Sequence, residues 1–126
     1  MFEHVDPRSP IPLYEQIASR IRVAVAAEEL TAGQALPSVR QLAASLRINP
    51  ATVVQAYREL EAAGFVERRH GAGTFICEIP SESKRQERVR KAEELVRSLI
   101  DEAARLGVNG ADLQEALGKQ LARRPE

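Results

Sequence analysis

Residues 68–75 read RRHGAGTF, which sets Arg68, Arg69 and His70 beside two glycines, Gly71 and Gly73, and then Thr74 and Phe75. Basic side chains next to closely spaced glycines suit phosphate binding, because backbone N–H groups and positive charge can converge where no Cβ intervenes. A nucleotide loop of the P-loop kind also needs a Gly-Lys-Ser/Thr ending that opens a helix. Neither feature is present. Gly73 leads instead into TFICEI, rich in β-branched and aromatic residues, and FVERRH on the other side can pair with it. The stretch therefore predicts a β-hairpin with a glycine tip, and the purpose of the tip depends on the rest of the chain.

Other chemistry is sparse. Cys77 is the single cysteine, which excludes an internal disulfide and a cysteine-based zinc site. His4 and His70 lie far apart and neither stands in a metal-ligand spacing, so both are read as surface histidines. No nucleophile, base and orienting group form a recognisable catalytic motif, and no carboxylate pair is flanked by metal ligands. Neither an enzyme nor a metal or cofactor is expected.

The elements that would carry the hairpin are marked clearly. In PLYEQIASRIRVAVAAEEL, Pro12 suits a first helical turn, and Leu13, Ile17, Ile21 and Val25 recur every fourth residue as one buried stripe. TAG at 31–33 ends that helix. Ser38 with Gln41 forms a capping box for a short helix whose apolar face is Val39, Leu42, Ala43 and Leu46 and which ends near Arg47. Asn49 can cap a third helix and Pro50 can take its first position; Val53, Tyr57 and Leu60 are its inner face and Gly64 its stop. Two short helices joined by a tight turn make a helix-turn-helix, and the hairpin at 65–77 makes it winged.

The second helix of such a motif enters the DNA major groove N-terminus first. Its outward residues here are Ala51, Thr52, Gln55 and, a turn later, Arg58. Thr52 can donate to a base or phosphate or touch a thymine methyl, Gln55 matches adenine N6 and N7, and Ala51 offers apolar contact alone. Arg40, in the first turn of the preceding helix, can span phosphate and base.

Composition bounds these readings. A chain of 126 residues with 44% apolar content supports one modest domain and an appendage. The 18 basic and 18 acidic residues balance, so any basic surface must be local. Between positions 40 and 69, Arg40, Arg47, Arg58, Arg68 and Arg69 outnumber Glu59, Glu61 and Glu67. The start MFEHVDPRSP has no apolar signal region and no run reaches the roughly 18 apolar residues of a membrane span, which predicts a cytoplasmic protein.

Composition also shifts near residue 79, beyond which no aromatic residue occurs. The expected division is a winged helix-turn-helix domain at 1–78 and a helical tail at 79–126. Val89, Ala92, Val96, Leu99, Ala103 and Leu106 alternate steps of three and four, the seam of a heptad pattern, widened by Leu95 and Ile100. Asn109, Asp112 and the Val108–Leu113 staple signal a second tail helix with Leu113, Ala116, Leu117 and Leu121 on its apolar face. So small a helical hairpin has too little core to stand alone, so its apolar face must cover either the winged domain or a second copy of the chain. The second copy is preferred because it also supplies the two-fold symmetry that palindromic operators match. The fold class expected is mainly α with a small β-hairpin.

Residues 12–76 resemble the N-terminal domain of GntR-type bacterial transcription regulators, through LPSVRQLA, TVVQAY, LEAAGF and GAGTF in order and spacing. The short tail is similar to the YtrA subfamily, in which it serves dimerisation. The resemblance implies a homodimeric repressor on a palindromic operator, often of a transporter operon. It also implies DNA contacts from the PSVRQL segment (Ser38, Arg40), from the start of the recognition helix at Asn49, and from the wing tip (Arg69, His70, Gly71). Pro50 and Ala51 depart from the polar or basic residues frequent there, which shifts base reading to Thr52 and Gln55. Any small-molecule effector would have to bind at the tail, at the dimer interface or between tail and winged domain. The rival reading is a winged helix that serves as a protein-binding adaptor without DNA.

Overall fold

The structure is a computed structural model that describes residues 1–2 and 5–124; His4 lies outside the described residues. In chain order the elements are α1 (Leu13–Ala26), α2 (Val39–Leu46), α3 (Pro50–Ala62), β1 (Val66–Arg69), β2 (Gly73–Ile76), α4 (Ser81–Arg105) and α5 (Gly110–Ala122). Contacts divide them into two compact units, Met1–Arg88 and Val89–Glu126.

The first unit is built on α1. Its period-four stripe places Ile17, Ile21 and Val25 in the core, where they meet Leu42 and Ala43 of α2, Val53, Ala56 and Leu60 of α3, and Phe65, Val66 and Ile76 of the hairpin. Each large side chain so buried contributes about 1.5–3 kcal/mol. The helix ends at Ala26, short of the expected stop after Leu30, because Glu28 takes a left-handed conformation (φ 62°) and Glu29 and Leu30 donate back to the Ala24 carbonyl. That turn carries Leu30 into the core. Gln16 braces the N-terminal arm: its side chain accepts from the Asp6 N–H and donates to the Asp6 and Ile11 carbonyls, each at 2.8 Å.

Both helices of the helix-turn-helix start where their caps predict. The Ser38 hydroxyl accepts from the Gln41 N–H at 3.1 Å while the Gln41 side chain accepts from the Ser38 N–H at 3.0 Å. Asn49 accepts from the Ala51 N–H at 2.9 Å, and Pro50 occupies the first position of α3. Arg47 closes α2 in the left-handed region (φ 58°), which turns the chain sharply enough for α3 to begin three residues later. Gly64 (φ 83°) follows the end of α3 and releases the chain into β1.

The wing pairs antiparallel with Val66 opposite Ile76, Glu67 opposite Phe75, Arg68 opposite Thr74 and Arg69 opposite Gly73. Its free edge is covered in turn: Leu36 N–H donates to the Thr74 carbonyl and Ile76 N–H to the Gln34 carbonyl, both at 2.9 Å. β2 is thereby hydrogen-bonded on both sides, and the segment leading into α2 is fixed to the wing.

The first turns of α4 belong to the first unit. Arg88 donates to the Ala26 carbonyl at 3.3 Å, Lys84 pairs with Glu28 at 3.4 Å, and Arg22 faces Glu87 at 3.9 Å. The contact boundary therefore falls inside a continuous helix of 25 residues, past the composition shift at residue 79.

In the second unit, Asn109 and Asp112 complete a capping box at the start of α5. Ala103 is buried within the single chain and the Val108 N–H donates to its carbonyl at 2.9 Å. Leu113 is half-buried, yet α5 has no buried residue. Val89, Val96, Leu99, Leu106 and Leu117 are exposed, Leu106 at 70%. No helix among the described residues is long and apolar enough to cross a membrane.

Candidate nucleic-acid interface

The cap at Asn49 sets the rotation of α3 by fixing its first turn, and burial of Val53, Ala56, Tyr57 and Leu60 fixes which side faces out. Ala51, Gln55 and Arg58 are exposed, whereas Thr52 is half-buried. Arg40 is exposed in the first turn of α2. Among the described residues, no hydrogen bond or ion pair engages the side chains of Arg40, Gln55 or Arg58. These groups, which can donate five, two and five hydrogen bonds respectively, stand ready for an external acceptor.

The relation between α2 and α3 is fixed by Tyr57. Its ring is buried among core residues and its hydroxyl donates to the Pro37 carbonyl at 2.7 Å, immediately before the Ser38 cap. Burial raises the Tyr57 pKa above that of an ordinary phenol, which keeps the donor protonated. The side chains of Ser38 and Asn49 are themselves engaged as caps, so their contribution to the surface is first to hold Arg40 and the start of α3 in place.

Strand alternation separates the two wing arginines. Arg68 shares a face with Val66, Thr74 and Ile76 and turns toward α3, where its Nε lies 3.6 Å from Glu61 Oε2. Arg69 shares the other face with Glu67 and Phe75. Both its Nε and Nη2 lie 2.8 Å from Glu67 Oε1, and its guanidinium stacks 4.3 Å from the centroid of the Phe75 ring. The expectation that Arg69 joins His70 and Gly71 in DNA contact at the tip thus falls on an Arg69 already engaged within the wing. His70 and Gly71 sit at the exposed turn, closed by the Ala72 N–H donating to the Arg69 carbonyl at 2.9 Å.

Gly71 has φ 74° and Gly73 φ 123°, so the turn needs residues without a Cβ penalty at both places. A Cβ at Gly71 would meet nothing within 4 Å, which leaves the tip open to solvent. Cys77 lies past β2 and away from the tip; burial and the Glu67 charge push its thiol pKa up against the opposing pull of Arg69. That is the reverse of what a nucleophilic thiolate requires.

The sequence reading did not foresee the contacts of Tyr57 with Pro37, of Gln16 with the arm, of Arg68 with Glu61, or of Arg69 with Glu67 and Phe75. The last two had a signal, since a buried Val66 at the start of β1 puts 66 and 68 on one face and 67 and 69 on the other.

A family model described as bacterial regulatory proteins, gntR family, matches residues 13–76. The HTH-type transcriptional repressor YtrA of Bacillus subtilis is 37% identical over 111 residues, which cover 88% of this chain and 85% of that protein. A GntR family transcriptional regulator from Listeria monocytogenes has a similar structure, with a TM-score of 0.70 and 31% identity over 90% of this chain and 97% of its own. A transcriptional regulator from Oenococcus oeni superposes with a TM-score of 0.68 and 34% identity, over 95% and 99% of the two chains.

Proposed function

The chain belongs to the gntR family of bacterial regulatory proteins, a family of DNA-binding transcriptional regulators, and on that premise we propose that it is a homodimeric cytoplasmic repressor that reads a palindromic operator. The observation that carries the DNA side is the unengaged set of Arg40, Gln55 and Arg58 on one capped helix pair. In this reading α3 enters the major groove, Gln55 accepts and donates at an adenine edge, Ala51 and the Thr52 methyl lie against thymine, and Arg40 holds a phosphate beside them. The hydroxyl of Ser38 and the amide of Asn49, at the two helix N-termini, lie where a backbone phosphate is favoured. His70 and Gly71 extend the contact into the neighbouring minor groove, where a bare backbone fits a narrow space.

The dimer is carried by the tail. An α5 without a buried residue, beside exposed Val89, Ala92, Val96, Leu99, Leu106 and Leu117, is an apolar face that one chain leaves uncovered. A second copy related by a two-fold axis would cover it, with half-buried Leu113 at its margin, and would present two recognition helices with the symmetry of an inverted repeat. Ala103, counted with that seam from the sequence, is already buried within one chain and adds no exposed surface to it.

Selection of duplexes from a random pool by the purified protein, followed by sequencing, tests the reading. An enriched inverted repeat with A·T pairs flanking each half-site is expected. A pool that stays random through successive rounds would dismiss sequence-specific binding.

A further inference from the structure

Between α3 and the wing runs a narrow trough of about 70 Å³. Val39, Val54 and Tyr57 are its apolar lining, and Arg58, Glu61, Arg68 and Thr74 supply polar atoms. We propose that this trough seats a DNA backbone phosphate, held by Arg58, Arg68 and Thr74, and that Arg69 takes no part in DNA binding. The proposal rests on the DNA-binding reading above and specifies which of the basic groups meet the backbone.

The argument is one of position and of available charge. With α3 in a major groove and the wing tip in the adjacent minor groove, the sugar-phosphate strand that separates the two grooves must cross between helix and wing. The trough is what lies there. Arg58 is exposed and unengaged among the described residues, so it can turn to a phosphate at no cost in existing contacts. Arg68 is held by Glu61 across 3.6 Å, a pair exposed at 71% and 39% and therefore weak. A phosphate offers stronger charge-assisted acceptors and can displace that carboxylate. Thr74 is the cross-strand neighbour of Arg68 and adds a hydroxyl donor on the same face.

Arg69 differs from Arg68 in how it is held. It points to the opposite face of the wing, its charge is matched by Glu67 through two nitrogens at 2.8 Å, and Phe75 fixes its plane. Glu61 then has a distinct role: it orders Arg68 in the free protein and opposes the phosphate on arrival, which lowers affinity for any DNA sequence.

The test measures anisotropy of a fluorescein-labelled random-sequence duplex across a salt series, for the wild type and for Arg68→Gln, Arg69→Gln and Glu61→Gln. Each phosphate neutralised contributes about 0.9 to the slope of log affinity against log salt. Arg68→Gln should lose about that much slope, Arg69→Gln should keep the wild-type slope, and Glu61→Gln should bind several-fold more tightly. Slope lost by Arg69→Gln, slope kept by Arg68→Gln, or weaker binding by Glu61→Gln would each overturn the proposal. A wild type that binds no duplex even at low salt would instead bring down the DNA-binding reading on which it rests. All three side chains are exposed or half-buried at the surface, and circular dichroism confirms that the variants fold.

Discussion

The Tyr57 hydroxyl donates to the Pro37 carbonyl oxygen at 2.7 Å, which ties the middle of α3 to the residue just before the α2 cap. The bond thus adds a polar tie between the segment that carries Arg40, two residues past Ser38, and the stretch of α3 that carries Gln55, half a turn from Tyr57. Without it the two helices would keep their apolar contacts but lose the polar lock between their surfaces.

Tyr57→Phe should therefore lower stability near neutral pH by about 1–1.5 kcal/mol, because the ring still packs while the Pro37 carbonyl loses its donor. Urea midpoints measure this. The pH dependence has a definite sign. Burial raises the Tyr57 pKa in the folded state, so above about pH 10, where an unfolded tyrosine ionises, the unfolded state gains and wild-type stability falls. The phenylalanine variant lacks that loss, and the gap between the two proteins should narrow in alkali. A gap that widens would mean that the phenol ionises more readily in the fold than out of it.

Positioning and reading should separate in two single variants. Arg40→Ala should weaken operator and random DNA alike and reduce the salt slope by about one, as expected for a phosphate contact. Gln55→Ala should relax preference at one base pair per half-site by about 1–3 kcal/mol and leave binding to random DNA nearly unchanged. Titration of both variants against a selected operator and a scrambled duplex checks the contrast. Equal losses on both duplexes for Gln55→Ala would remove it as a base reader.

Local rules made much of this fold legible. Ser38 with Gln41, Asn49 with Pro50, and Asn109 with Asp112 announce helix starts because a side-chain acceptor meets an orphan N–H within three residues, a matter of short range alone. The stripe Ile17, Ile21, Val25 likewise follows from helical period. What stayed hidden depends on partners distant in the chain or on rare backbone states. Glu28 and Arg47 turn the chain at positive φ without being glycine, which no residue preference announces. Lys84, Glu87 and Arg88 reach back to the end of α1 and extend the first unit past the composition boundary. In the site, the outward residues of α3 could be named by subtracting the buried ones, but the different environments of Arg68 and Arg69 needed the hairpin register.

The wing tip calls for a substitution that respects its backbone. At φ 74°, a valine in place of Gly71 would bring strain of its own, so its effect on DNA binding would be ambiguous. Asparagine tolerates the left-handed region and finds open space there. Gly71→Asn should keep the melting temperature within a few degrees, yet weaken operator binding and erase minor-groove protection beyond the half-sites, because the added side chain obstructs a close backbone approach. Hydroxyl-radical footprints read the result, and an unchanged footprint would detach the tip from DNA.

The tail offers the sharpest separation of assembly from folding. Leu99 lies midway along the exposed seam of α4, 45% exposed in the single chain, and belongs to the second compact unit. Leu99→Arg should therefore leave the winged unit folded, since an arginine on a solvent-exposed helical position costs only a few tenths of a kcal/mol in propensity. In a dimer the same arginine would be buried without a partner at a cost of several kcal/mol. The variant should sediment as a monomer at concentrations where the wild type is a dimer. It should lose affinity for a full inverted repeat far more than for a single half-site, because only the former uses both recognition helices at once. A Leu99→Arg protein that remains dimeric and binds the repeat as tightly as before would show that the two-fold interface lies elsewhere than on the α4 seam.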